Sequence, residues 1–360
     1  MPVSPFQSHQ QEQGIAVANA LGGYNDTKGY ERALTVRPFD FPVDHGAHPS
    51  FRNEWWYATG NVFDAHGRHF GYQLTLFRIA IKPPDEEKPD SAWRTRQIYM
   101  GHFALTDVAN GQHYHDEKFS RASLGLAGAR NKPFRVWLED WSFISESDAF
   151  LPLHTAASTP GFAINFLLQN AKPLVLQGNK GLSQKSPEPG NASYYYSFTR
   201  LPTTGTVRIG EQSFQVSGDS WLDREWSTSV LGPKQQGWDW FALQLEDGRE
   251  IMFYQLRHED NSIDQLSQGV LVEKDGSYRK LNLEDVELKP QTIWHSPQTK
   301  RKYPIEWRMN ILSAQLSLNI RAALENQEML ATVQYWEGAV VVEGTAKGYG
   351  YLEMTGYRKD

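Results

Sequence analysis

From Glu54 onward the chain alternates between apolar and polar positions with a period of two. In Phe70-Gly71-Tyr72-Gln73-Leu74-Thr75-Leu76 the even positions are apolar and the odd ones small or polar, the pattern of a strand with one buried face. The same alternation predicts strands at 162–168, 207–216, 315–320 and 330–336. Turn signals at 64–67, Asp247-Gly248, Asp275-Gly276 and Glu337-Gly338 separate the runs. Residues 15–21 form one candidate short helix, and no helix longer than about three turns is expected. The class is all-β, built mainly from antiparallel meanders.

The pattern repeats. Trp56-Tyr57-Ala58, then Gly67-Arg68, Tyr72-Gln73-Leu74 and Arg78 read much like Trp240-Phe241-Ala242, Gly248-Arg249 and Tyr254-Gln255-Leu256-Arg257. The Gly-Arg and Tyr-Gln-Leu elements are offset by 181 and 182 residues. Two Tyr-rich closing strands, 194–199 and 349–355, support a duplication. An N-terminal extension, 1–38, would precede two copies, 39–200 and 201–360, joined near 201–206. About eight strands per copy suffice to close a barrel whose interior is filled or holds one small ligand. Gln73 and Gln255 should then occupy equivalent structural positions.

Composition agrees: 13% of residues are aromatic, with 12 Trp, 16 Tyr and 18 Phe, which favours half-buried strands. The net charge of −6 excludes a chain-wide phosphate-binding surface, so no nucleic-acid partner is expected. Without cysteine there is no disulfide, thiolate nucleophile or Cys-based metal site. No run approaches the roughly 20 apolar residues of a spanning helix, and residues 1–25 lack the basic region of a signal peptide. His113 and His115 share a strand face, but their polar surroundings suggest a solvated hairpin, so no metal is predicted. No Gly-x-Ser-x-Gly elbow or phosphate loop occurs, and no cofactor is expected.

Two segments carry a resemblance. Phe41-Pro42-Val43-Asp44-His45-Gly46-Ala47-His48, followed by Glu54-Trp55-Trp56-Tyr57-Ala58-Thr59-Gly60, resembles the opening signature of the AttH-like family. Gly218-Asp219-Ser220-Trp221-Leu222-Asp223-Arg224-Glu225-Trp226 and Gly237-Trp238-Asp239-Trp240-Phe241 are similar to its other signatures. That family is grouped with the carotenoid 1,2-hydratases (hydroxyneurosporene synthases) and includes chains labelled predicted secreted hydrolases. The resemblance covers about 39–360 and implies two tandem lipocalin-like (calycin) β-barrel domains. It also implies a periplasmic or secreted location, with a cytoplasmic one as the alternative. Where the hydratases carry a His and an Asp, Arg224 and Gln255 stand here, and neither donates a proton at neutral pH.

Two functions compete. One is binding or transport, in the cell envelope, of a hydrophobic isoprenoid or lipid-like molecule in an aromatic pocket. The other is a cofactor-independent hydratase or isomerase, which needs a carboxylic acid kept neutral by burial and aromatic faces around a carbocation. A third reading is an interaction protein attached to a membrane transport assembly. The candidate acids are Asp223 and Glu54, and the candidate ligand-binding residues are Trp55, His102, Arg224, Trp226, Trp240 and Tyr254. Glu54, Asp223, Arg224, Trp226 and Trp240 are expected to approach one cavity, with Arg224 neutralising one carboxylate and leaving the other as proton donor.

Overall fold

The computed structural model describes residues 27–84, 95–229, 231–232 and 234–358. The candidate helix at 15–21, and most of the N-terminal extension, lie outside the described residues. Strand makes up 60% of the structure and helix 3%, so the chain is nearly all-β. Among the described residues the helical pieces are three single 3-10 turns.

The first sheet begins with β1 (Asn53–Asp64), β2 (His69–Ala80), β3 (Gln97–Asp107) and β4 (Gln112–Arg121). It continues with β5 (Ala127–Asn131), β6 (Phe134–Leu138), β7 (Trp141–Ser145), β8 (Leu153–Ser158) and β9 (Phe162–Leu168). The short β10 (Val175–Leu176) and β11 (Leu182–Gln184) precede the long β12 (Ala192–Ile209) and β13 (Gln212–Ser227). Their spatial order is β4-β3-β2-β1-β13-β12-β9-β8-β7-β6-β5, with β10 and β11 paired to β12. The second sheet contains β14 (Gln235–Leu245), β15 (Glu250–His258), β16 (Gln268–Val272), β17 (Tyr278–Asn282) and β18 (Glu287–His295). β19 (Lys302–Ile311), β20 (Leu316–Ala322), β21 (Glu328–Leu330), β22 (Gln334–Gly344) and β23 (Gly348–Met354) complete it. Its order is β17-β16-β15-β14-β23-β22-β20-β19-β18, with β21 on β22. Every pairing is antiparallel.

Each sheet curls into a barrel-like domain around its own apolar core. A third apolar cluster lies between them, built from Tyr57, Tyr195 and Trp221 of the first and Trp240, Tyr254 and Tyr351 of the second. Because strand side chains alternate faces, β1, β2 and β13 fill the first barrel with one set of residues and meet the second domain with the other. Polar ties cross the seam: Asn61 Nδ2 donates to Gly350 O at 3.0 Å, and Lys172 and Arg200 pair with Glu250 at 2.8 and 2.6 Å.

Several predicted boundaries change. Position 200/201 falls inside β12, and the first sheet continues through Ser227. The run 207–216 is a hairpin, not one strand: Gly210, at φ +57°, turns the chain between β12 and β13. Residues 330–336 likewise split between β21 and β22. Glu337-Gly338 is not a turn but the middle of β22, where a Cβ at 338 would strike the side chain of Gln327.

Candidate active site at the domain seam

The seam holds a cavity of about 90 Å³. Two rows of cross-strand neighbours in the first sheet form one wall. One row runs Met100, Phe77, Trp55, Glu225, Tyr195; the next runs His102, Thr75, Tyr57, Asp223, Ser197. The facing row in the second sheet is Glu337, Glu353, Trp240, Tyr254. Leu231, Trp238, Leu256, Val333, Tyr335 and Lys185 complete the lining.

Four carboxyl groups therefore meet in an aromatic chamber. Asp223 is buried and accepts from Tyr195 Oη (2.5 Å), Ser197 Oγ (2.5 Å) and Trp221 Nε1 (2.6 Å). Burial outweighs these donors and raises its pKa to about 7. Glu337 and Glu353 are directly opposed across β22–β23. Burial raises both, and for Glu353 the neighbouring Glu337 charge adds to it. Glu353 Oε1 accepts from Trp238 Nε1 at 3.0 Å. The hydroxyls of Tyr57 and Tyr335 lie near Glu337 and oppose its shift, yet neither carboxyl oxygen of Glu337 has a partner in hydrogen-bonding geometry. Glu225 is the exception, paired with Lys185 at 3.3 Å and bonded by Ser193 Oγ.

A polar chain leads from this chamber to the surface. Glu117 Oε1 lies 3.0 Å from His102 Nε2, and His102 Nδ1 lies 2.8 Å from Tyr335 Oη. Hydrogen bonds from His102 and Thr332 outweigh burial and keep Glu117 ionised. A carboxylate only accepts, so Nε2 carries a hydrogen towards Glu117, and the other ring nitrogen meets the Tyr335 hydroxyl. His102 and Glu117 belong to the first domain and Tyr335 to the second.

The structure brings Asp223, Trp55, His102, Trp240 and Tyr254 into the cavity. It takes Glu54, Arg224 and Trp226 away from it. The reason is the pleat: Arg224 and Trp226 alternate with Asp223 and Glu225 along β13, and Glu54 alternates with Trp55 on β1, so these three face the first barrel. There Glu54 pairs with both Arg78 and Arg224. The two guanidiniums outweigh burial and hold its carboxyl well below the usual range. Arg224 also donates to His45 O at 3.3 Å and lies 4.0 Å over the Trp56 ring, while His48 stacks on Trp226 at 3.8 Å. Glu54, His48, Arg224 and Trp226 thus form one buried polar and aromatic cluster on the first barrel's side of the strands.

The matched glutamines also part company. Aligned on their hairpin turns the two copies differ by 181 residues, so the 182-residue match of Tyr72-Gln73 with Tyr254-Gln255 slips by one and exchanges faces. Tyr72 fills the first barrel, whereas Tyr254 lines the seam. His113 bonds Thr106 Oγ1 at 2.9 Å and His115 Nε2 accepts from Leu330 N, so the hairpin packs on the second domain rather than lying in solvent. Among the described residues no group of three or more His, Asp or Glu is arranged to hold a metal ion.

No residue pattern in the sequence singles out Glu337, Glu353 or Lys185. Glu337 was hidden by its glycine neighbour and Glu353 by the tyrosines around it. Only the register of β22 and β23 makes them a pair.

Fold and site together define a double β-barrel protein with an acid-lined aromatic chamber at the seam. The AttH-like family model matches residues 32–357, and the chain belongs to that family. The AttH protein of Nitrosomonas europaea is similar at 35% identity, with a TM-score of 0.81 over 91% of this chain and 99% of that one. Kievitone hydratase from Nectria haematococca shares the fold at 14% identity and a TM-score of 0.67, covering 92% of this chain and 97% of its own. CghA, solved with Sch210972, is similar at 10% identity and a TM-score of 0.52, covering 85% and 88%. No curated protein sequence matches the chain.

Proposed function

We propose that the protein is a cofactor-independent acid–base enzyme that hydrates or isomerises a carbon–carbon double bond in a hydrophobic small molecule. The observation that carries this reading is the Glu337–Glu353 pair, two carboxyls opposed in an apolar chamber that favours their protonated forms. Glu353 gives its proton to one alkene carbon, and the π pair becomes the new C–H bond. The cation left on the other carbon is flanked by the rings of Trp240, Tyr57 and Trp55. In hydration, water attacks that carbon and releases a proton to Asp223, whose carboxylate form is cradled by three donors. In isomerisation, Asp223 takes a proton from the adjacent carbon instead. The hydratase named among the structural neighbours supports this chemistry at the level of a shared fold.

The test is incubation of the purified protein with prenylated and isoprenoid alkenes in deuterium oxide, read by mass spectrometry. Added D₂O, or exchanged deuterium without net addition, supports hydration or isomerisation, and E353Q should abolish either. Saturable binding with no mass change in any compound would leave a binding protein for hydrophobic molecules.

A further inference from the structure

Lys185 follows β11, and its backbone is fixed on both sides. Its N–H donates to Asn191 O at 2.9 Å, and its carbonyl accepts from Gln235 Nε2 at 2.6 Å. The ammonium lies 4.3 Å from the centre of the Tyr254 ring and 5.5 Å from that of Tyr195. It is the one Lys or Arg among the described residues lining the cavity. Burial alone would favour the uncharged amine, but the Glu225 carboxylate reverses this and holds the group above its ordinary value.

We propose that the Lys185 ammonium is the anchor for an uncharged acceptor oxygen of the substrate, which makes the substrate an apolar unsaturated ketone or related carbonyl compound. The unsaturation rests on the acid–base reading above; the oxygen does not. An ammonium has three N–H donors, and Glu225 is the one cavity carboxylate within ion-pair distance. Tyr254 takes a second donor and also helps to hold the group charged, while the Tyr195 ring face attracts the charge without using a donor. A donor therefore remains for an acceptor entering the chamber. The charge of Lys185 is already balanced by Glu225, so the pair offers hydrogen bonding without net attraction for an anion, and Asp223 lies on the same face of the strand. Asp223 and Glu225 are two residues apart on β13, about 7 Å along the strand. The anchored oxygen thus sits away from the double bond, which reaches towards Asp223 and Glu353.

Trp55, Trp238 and Trp240 line the chamber, so intrinsic fluorescence reports occupancy without any turnover. The probes are geranylacetone, the hydrocarbon in which CH₂ replaces its carbonyl, and geranic acid. Wild-type protein should bind the ketone at least about tenfold more tightly than the hydrocarbon, the usual gain from a hydrogen bond to a charged donor. K185M should reduce that preference to within twofold, and K185R should retain most of it. E353Q should keep the preference, which separates failure of this assignment from failure of the catalytic reading. Equal affinity of the wild-type protein for ketone and hydrocarbon would overturn the proposal without any variant having to fold. So would an undiminished preference in K185M, or tighter binding of geranic acid than of geranylacetone at pH 8.

Discussion

Glu337 lies directly across from Glu353 in the β22–β23 pair, so two acids share one cross-strand position on the face turned towards the chamber. Like charges so placed repel, and in a site walled by aromatic rings the repulsion is relieved by keeping a proton. In the reaction proposed above, the second barrel thereby supplies the proton donor without any local sequence signature of one.

The first prediction concerns this coupling. In E337Q the neighbouring charge is gone, so the Glu353 pKa falls and the alkaline limb of the kcat/KM profile moves to lower pH. In E353Q the donor itself is removed, and turnover should drop by about 10²–10⁴-fold, the range of general acid catalysis. An E337Q profile superimposable on wild type would show that the two acids do not interact.

Asp223 makes stability depend on pH. Its pKa rises from an ordinary 3.8 to about 7 on folding, chiefly through burial. The folded state therefore holds its proton more tightly, and this contribution is fully present below the unfolded value and lost as pH rises through about 7. The Tm of wild type relative to D223N should fall between pH 4 and pH 8. A difference in Tm that stays constant over that range would count against it.

Glu54 acts in the opposite sense. Its carboxylate is fully buried between Arg78 and Arg224, and E54Q leaves both guanidiniums short of a counter-charge. Breaking such a buried pair costs about 3–5 kcal/mol, measurable by denaturant unfolding. Because Glu54 faces the barrel and not the chamber, the folded variant should bind seam ligands as wild type does. A selective loss of binding with unchanged stability would reverse this assignment.

The Glu117–His102–Tyr335 chain predicts a proton route. Y335F removes the hydroxyl that bridges His102 to the neighbourhood of Glu337 and should slow turnover with little change in ligand affinity. H102N should do the same and alter the pH profile. Equal losses of affinity and turnover in both variants would mark the chain as a purely structural tie.

Gly71 sets the spacing of the domains. A Cβ there would come within 2.5 Å of Ala339 Cβ on β22. G71V should therefore lower the Tm and weaken binding at the seam together, as measured by thermal unfolding and Trp fluorescence.

Much of the architecture was readable from residue patterns. Phe162–Leu168 alternates cleanly and forms β9, and the aromatic, turn-rich chain folds as two barrel-like sheets. Asp223, between Trp221 and Trp226, was legible as an acid in aromatic surroundings. The rest was hidden for a physical reason: period-two patterns say that faces alternate, but not which face meets which domain. Arg224 and Asp223 are adjacent in sequence and serve different compartments. Glu337 and Glu353 are 16 residues apart and become neighbours only through the register of a hairpin.

The hydrogen bond between His102 and Tyr335 crosses from one barrel to the other and ties Glu117 of the first domain to the second domain's side of the chamber. The completion of this hydrogen-bonded chain and the docking of the domains are thus a single event. A separation of the barrels by one bond length would break the His102–Tyr335 link, so the seam acts as the contact of an electrical switch, closed only when the chamber is closed.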